Sequence, residues 1–526
     1  MSDTTWSDMK RARVTAVQRR RRLIFNDDSH ELALDGANTP AGFLDHRLTP
    51  LADTQVGAIA WSVLCGQFDA PSYDCAVAPI YGDAHGGPVT YWQQVTENVK
   101  ALTRDHRCPL HLVCDFAHAR QMEAFASVRM NDVHDSFLDA NAMTVWKRTH
   151  PELLVDTQGM LPEFELYTTA QDFTHEAVRR RKLEIIEDIC TRYDIDGFEL
   201  DFIRHPVLFS RRMRGEPCTV DEIAIITALM QQIREITDAA AERRGRPILL
   251  AARVPDSFAR CLDNGMDLPI WLDQDVIDIF IAGGGYAPFS LPVEEFVAAA
   301  RPQGVPVYPC VNLGTVDNMS KGAFLTCVRA LATNWYHAGA DGLYFWNLGT
   351  PFEFMHGAEL DAVRHSYYAC LREVGDPALL IGKDKLYCVD SGPVGVHRYY
   401  THVSSRWPLP LESKHGVLRT GVIGRVPLDV GDDPAAAPPA QAMLTVEFND
   451  AAWADALLIR LNGEALTDSH FVPAPDAQQD CTLQYHVPVS LLRLGRNYVE
   501  VVARNDVALP DTIVTVRAMR LLLKYP

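Results

Sequence analysis

A chain of 526 residues with 47% hydrophobic and 22% charged residues is long enough for two to four domains and reads as globular, not as a disordered or fibrous protein. Its formal net charge of -19 excludes a general nucleic-acid binder, whose affinity would rest on neutralising phosphates with lysine and arginine. A glycan or other neutral small molecule is the better partner.

The chain in order begins with a basic stretch, KRARVTAVQRRRR at residues 10–22, which makes residues 1–21 an expected solvated arm or helix. No apolar segment of signal-peptide type follows Met1 and no run is long enough to span a bilayer, so a cytoplasmic location without membrane contact is expected. The 12 cysteines lie scattered, without CxxC spacing or Cys/His clusters. They are expected to be buried free thiols, neither disulfide-bonded nor zinc-binding.

From residue 22 to residue 377, short apolar runs alternate with helical patterns. The runs are RLIFNDD (22–28), VGAIAWSVL (56–64), a third unit, GFELDFIR (197–204), ILLAARVPD (248–256), VIDIFIAGGG (276–285), VPVYPCVNL (305–313) and DGLYFWNLG (341–349). In the third unit 110–117 and 124–130 compete for the strand, and the latter is preferred because its end is richer in polar groups. Helical stretches such as 175–193 and 220–245 separate the runs. Eight strand positions each followed by a helix predict a (β/α)8 TIM barrel, an α/β fold whose strands are buried on both faces. From residue 378 to residue 526 the helices vanish and short alternating strands take over, among them AMLTVEFND, ALLIRLNGEAL with its Asn462-Gly463 turn, and VTVRAMRLLLKY. An all-β sandwich is expected there.

The fourth run raises a chemical question, because RYDIDGFELDFIRHP (192–206) sets Glu199 and Asp201 into an otherwise apolar strand. Residues two apart share one strand face, so both acids point into the barrel while Phe198, Leu200 and Phe202 pack outward. Carboxylates are costly in a barrel interior, but near the C-terminal mouth they meet water and ligand. Asp132 and Asp256 stand at the ends of neighbouring strands, and with Glu199 and Asp201 they form the expected catalytic set. Asp28, Trp61, Arg129, Asn131, His134, Arg204, Arg253, Tyr286, Asn312, Trp346 and Asn347 converge on the mouth by fold geometry and are expected to bind substrate. The three aromatic residues would stack on sugar faces. The first strand lacks HxH and strands five and six lack a terminal histidine, which argues against a metal-dependent amidohydrolase. No metal and no cofactor is expected, and nothing in the sequence decides an oligomeric state.

DGFELDFIRHP resembles the fourth-strand motif of glycoside-hydrolase-like family 10 barrels, in which Asp-Gly precedes an apolar strand bearing an Asp, then an Arg and a Pro. EAFASVRMNDVHD with HPELLVDTQG is similar to the long third-strand region of those proteins. The resemblance covers roughly residues 22–375 and implies a catalytic barrel acting on carbohydrate, with Asp201 and Arg204 matching the motif Asp and Arg. LLIRLNGEAL and LRLGRNYVEVVAR resemble the jelly-roll sandwiches appended to many glycosidases; such a module would brace the barrel, since Trp407 and Trp453 are its few aromatics offered for sugar. The expected function is glycoside hydrolysis by paired carboxyl groups, with Asp201 as nucleophile or base and the acid drawn from Asp132, Asp256 or Glu199. Its alternatives are a non-catalytic carbohydrate-binding barrel and a polysaccharide lyase or other sugar-modifying enzyme.

Overall fold

The computed structural model describes residues 3–64, 68–86, 93–105, 107–136, 142–348, 357–392, 400, 402–403, 407–413, 421–474 and 480–526. Eight parallel strands close into a barrel in sequence order: β1 (Leu23–Asp27), β2 (Val56–Ser62), β3 (Glu123–Arg129), β4 (Gly197–Asp201), β5 (Leu249–Val254), β6 (Ile279–Ala282), β7 (Val307–Asn312) and β8 (Leu343–Trp346). β8 pairs back onto β1 through Leu23 opposite Leu343. The competition in the third unit resolves for the later segment, and Pro109–His118 is a helix.

Alternation along each strand sorts the side chains into two cores. Ile24, Ala58, Phe125, Ala251, Ile281 and Tyr344 belong to a compact cluster inside the barrel, whereas Phe25, Ile59, Phe198, Leu250 and Phe280 pack into the larger shell against the helices.

The basic N-terminal stretch is a helix, Asp3–Val17, followed by a turn. Contrary to a freely solvated arm, its cations fasten it across the base of the barrel. Arg13 donates to the Asp275 carbonyl at 3.1 Å and lies 3.5 Å from the Asp278 carboxylate. Buried Arg21 donates to both oxygens of Glu123 at 2.6 and 2.9 Å. These acceptors precede or open β3 and β6, at the end of the barrel opposite the mouth.

After β8 and the helix Gly357–Cys370, ten further strands run from β9 (Lys385–Cys388) to β18 (Thr515–Lys524). They include β10 (Leu411–Glu412), β11 (Val422–Val430), β12 (Gln441–Phe448), β13 (Leu457–Leu461), β14 (Glu464–Ala465), β15 (Ser469–Val472), β16 (Cys481–His486) and β17 (Gly495–Ala503). One antiparallel sheet has the order β10-β18-β12-β16-β15 with β9 on β18, and the other the order β11-β17-β13-β14. Their inner faces share one core, with Val426 and Val499 from one sheet meeting Leu444, Val446 and Leu521 from the other. β9 joins the two halves of the molecule. Its Leu386 and Cys388 enter the barrel-side core, and Tyr387 between them enters the sandwich core. The expected division into 1–21, 22–377 and 378–526 stays a proposal, which the change from α/β to all-β at β9 supports.

Trp453 is buried, and its indole N–H donates to the Thr512 carbonyl at 3.2 Å, so it offers sugar no face; Trp407 is half-buried. The eleven cysteines of the described set are all free thiols. Among the described residues no helix is long and apolar enough to cross a membrane.

Candidate active site

At the C-terminal end of the barrel the strand register sets Arg129 beside Asp201 and Asp201 beside Arg253. Asp201 accepts from the Arg253 guanidinium at 3.1 Å through one oxygen. The other oxygen accepts from the backbone N–H groups of Ile203 at 2.9 Å and Arg204 at 3.0 Å, which turns the chain out of the strand. Arg253 is itself buried, with the Trp346 ring 4.9 Å and the Tyr344 ring 5.7 Å from its guanidinium carbon. Its Nε has no hydrogen-bond partner among the described residues.

Glu199 lies one layer deeper on the same face, with no exposed surface. It accepts from the Tyr344 hydroxyl at 2.6 Å and from the Asn26 amide at 3.1 Å. Burial, and secondly the negative charge of Asp201, push the Glu199 carboxyl up to about 7, with Arg253 and the hydroxyls of Tyr344 and Ser127 acting in the opposite direction. The barrel therefore holds a carboxyl that keeps its proton to near neutrality directly beneath a carboxylate paired with arginine.

The loop after β3 supplies a second ionic chain. Asp132 lies 3.2 Å from Arg129 and accepts from His134 Nδ1 at 2.8 Å and from the His134 backbone N–H at 3.0 Å. The other ring nitrogen, Nε2, accepts from Arg204 at 2.7 Å, and Arg204 also donates to the Tyr400 hydroxyl at 2.5 Å. Burial works to raise Asp132, but His134, His205 and Arg129 outweigh it and hold the carboxylate well below its ordinary range. Burial pushes His134 down to about 4 and His205 well below its usual value, so both rings are neutral. Two buried ammonium groups fix the loop: Lys182 donates to the Arg129 carbonyl at 3.0 Å, and Lys147 to the Asp132 carbonyl at 2.7 Å.

Asp132, His134 and His205 bring potential ligand atoms within 4.8 Å of one another. Their surroundings do not fit a cation. Both His134 nitrogens are engaged, one by Asp132 and the other by a guanidinium, His205 Nδ1 accepts from the Val133 N–H at 3.2 Å, and Arg129 and Arg204 flank the group.

The remaining expected residues are engaged as follows. Trp61 has no exposed surface; it faces the helical shell, edge-on to Phe43, and donates to Glu31 at 2.8 Å. It cannot stack on a sugar. Asp28 is buried and paired with Arg47 at 2.7 Å. Asn131 spends its whole amide on the fold, donating to the Gln171 and Val207 carbonyls and accepting from the Asp132 and Gln171 N–H groups. Asn312 caps the helix Leu313–Ser320 by accepting from the Thr315 N–H at 3.1 Å. Tyr286 stacks on Tyr400 with ring centroids 4.3 Å apart. Asp256 is buried beyond the end of β5, its backbone N–H donating to the Val403 carbonyl at 3.2 Å.

Trp346 is half-buried at the rim, with Arg204 5.6 Å and Arg253 4.9 Å from its ring. Asn347 beside it takes a left-handed backbone with φ 58, and its side-chain oxygen is buried without a hydrogen-bond partner among the described residues. Sequence reasoning missed Asn26, Tyr344, Lys147, Lys182 and Tyr400. Alternation could have found the first two, because Asn26 falls in step with Ile24 and Tyr344 with Trp346. Tyr400 gave no signal, lying far along the chain in the region expected to be a separate module.

No protein-family model matches the chain, and no curated protein matches it. Solved structures similar to it include the glycoside hydrolase domain of PgaB (BpsB) from Bordetella bronchiseptica, at 11% identity over 65% of this chain and 98% of that one with a TM-score of 0.42. Another is alpha-L-fucosidase isoenzyme 2 from Paenibacillus thiaminolyticus, at 14% identity over 66% of this chain and 49% of that one with a TM-score of 0.42. A third is a family GH18 chitinase from Chromobacterium violaceum, at 12% identity over 95% and 91% with a TM-score of 0.40. Likenesses this distant carry no argument for an activity, and the barrel rests on its own strand pairing.

Proposed function

We propose that the barrel is a carbohydrate-active hydrolase whose reaction centre is Asp201. The observation that supports this most is the placement of two carboxyl groups on one strand in unlike environments: Asp201 paired with Arg253 at 3.1 Å, and Glu199 beneath it pushed up to about 7. Asp201, paired with Arg253, is the nucleophile or base. Glu199 touches no solvent and acts as a positioning residue beneath Asp201. Asp132 is unsuited to give a proton, because its neighbours keep it ionised. That leaves Asp256, on the lip beyond β5, as the acid. Membership among the glycoside-hydrolase-like family 10 barrels belongs to the same proposal, with Asp201 and Arg204 in the motif positions.

A second reading, a barrel that binds carbohydrate without cleaving it, is favoured by one specific fact. Both oxygens of Asp201 and both nitrogens of His134 already have protein partners. A panel of 4-nitrophenyl glycosides in both anomeric series, run with the parent and Asp201→Asn below both melting temperatures, separates the two. Turnover by the parent that falls at least about a thousandfold in the variant supports the hydrolase. Sugar binding on a glycan array without turnover of any member supports the second reading.

A further inference from the structure

Three arginines at the rim of the barrel, Arg129, Arg204 and Arg253, have their charges balanced unequally. Arg129 has Asp132 at 3.2 Å and Arg253 has Asp201 at 3.1 Å. Arg204 has no carboxylate within 4.0 Å among the described residues; its acceptors are the neutral His134 ring at 2.7 Å and the Tyr400 hydroxyl at 2.5 Å. Asp132 and Asp201 act on it only from a distance. Of the five N–H bonds of its guanidinium, two are used, and the remainder find no acceptor among the described residues.

Much in the fold goes into holding that cation in place. Tyr400 accepts from the guanidinium and donates its own proton to the Arg204 carbonyl at 3.1 Å, gripping the residue at both ends. Tyr400 is in turn stacked on Tyr286. The Arg204 backbone N–H is tied to Asp201, and the guanidinium lies against Trp346, whose ring is half-buried at the same rim. Holding a half-buried cation this firmly without a counter-ion of its own is costly unless something else brings the negative charge. A planar fork with open N–H bonds fits a carboxylate better than an ammonium would, and the half-buried Trp346 indole stands beside it at the same rim. Since the whole chain carries -19, long-range attraction for an anion is absent, and a preference for one must come from this short-range site.

Building on the hydrolase reading above, we infer that the substrate is an acidic sugar whose ring carboxylate is received by Arg204 next to Trp346. Asp201 would then act on the bond of a uronic or sialic type residue, not on a neutral hexose.

The test measures binding to the full chain by calorimetry for D-glucuronate, D-galacturonate and N-acetylneuraminate, beside D-glucose, D-galactose and D-glucose 6-phosphate. Turnover of 4-nitrophenyl glucuronides against glucosides is read in parallel. At least one acid should bind or react about tenfold or more better than its neutral counterpart. That preference should collapse in Arg204→Met and return in part in Arg204→Lys. Should Arg204→Met fail to fold, Tyr400→Phe, which removes only the hydroxyl that holds the guanidinium, should weaken the preference severalfold. Equal or better handling of the neutral sugars, an acid preference that survives Arg204→Met, or a preference for the phosphate overturns the inference and leaves the hydrolase reading standing. Failure to bind or cleave any sugar, acidic or neutral, overturns both.

Discussion

The two ends of one barrel each hold a buried arginine against a carboxylate, and they are finished differently. At the base, Arg21 uses all five of its N–H bonds: two on Glu123, and the rest on the carbonyls of Val17, Arg19 and Ala16. At the mouth, Arg253 makes one good bond to Asp201 and a long contact of 3.8 Å to the Cys310 sulfur, and among the described residues its Nε goes without a partner. A buried ion pair repays its desolvation only when the remaining hydrogen-bond capacity is filled. The base meets that condition and acts as a brace. The mouth does not, and underused donors around a buried charge are what a site waiting for a ligand requires.

The sharpest way to break this contrast removes the carboxylate at each end in turn. Asp201→Asn should lower turnover at least about a thousandfold, some 4 kcal/mol of barrier, whereas Glu123→Gln should leave kcat/KM unchanged. Equal losses of activity would show that both pairs merely brace. Stability orders the other way. Glu123→Gln strands the Arg21 charge inside a filled network and should cost about 3 to 5 kcal/mol in urea titration, more than Asp201→Asn, since the asparagine still accepts from the two backbone N–H groups. A smaller, pH-dependent effect follows from Glu199. Its folded value of about 7 lies above the ordinary 4.5, so the folded chain holds a proton that the unfolded chain releases, and stability falls as pH rises from 4.5 to 7 and is flat above. Glu199→Gln lacks that slope and should gain on the parent by roughly 3 kcal/mol across the window, read as melting curves at pH 5 and pH 8. Smaller still, Asn347→Ala should cost about 1 kcal/mol for its left-handed backbone while Asn347→Gly does not. If both lose affinity for the sugar that the parent binds, the buried Asn347 oxygen is a ligand contact. At the bottom of the scale, EDTA should leave turnover unaltered, because guanidinium groups flank the Asp132, His134 and His205 cluster.

The eight strands were legible because buried parallel strands must be short and apolar, and each was followed by a helical pattern. The fate of Glu199 and Asp201 was legible in part. Two-residue spacing put them on the inner face, but only packing reveals that Tyr344 and Asn26 enclose the first while Arg253 holds the second. Trp61 shows what was overlooked. With Ala58 and Ala60 lining the interior, the residue after Ala60 must face the helices, and the attraction of an aromatic near a strand end outweighed that count. Asn131 and Asn312 show what could not be seen, since a rim asparagine that binds sugar and one that ties loop carbonyls or caps a helix have the same sequence signature. The N-terminal cations looked solvated because their acceptors, Asp275, Asp278 and Glu123, lie a hundred and more residues away.

Tyr400 grips Arg204 from a part of the chain nearly two hundred residues downstream. The rim is therefore built from two distant parts of the chain. Were the sandwich traded for that of another barrel by recombination, the hybrid would inherit the acids of β4 intact and lose the hydroxyl that aims the arginine. On the proposed reading, cleavage is carried by residues of the barrel, and the choice of sugar is shared with this later part of the chain.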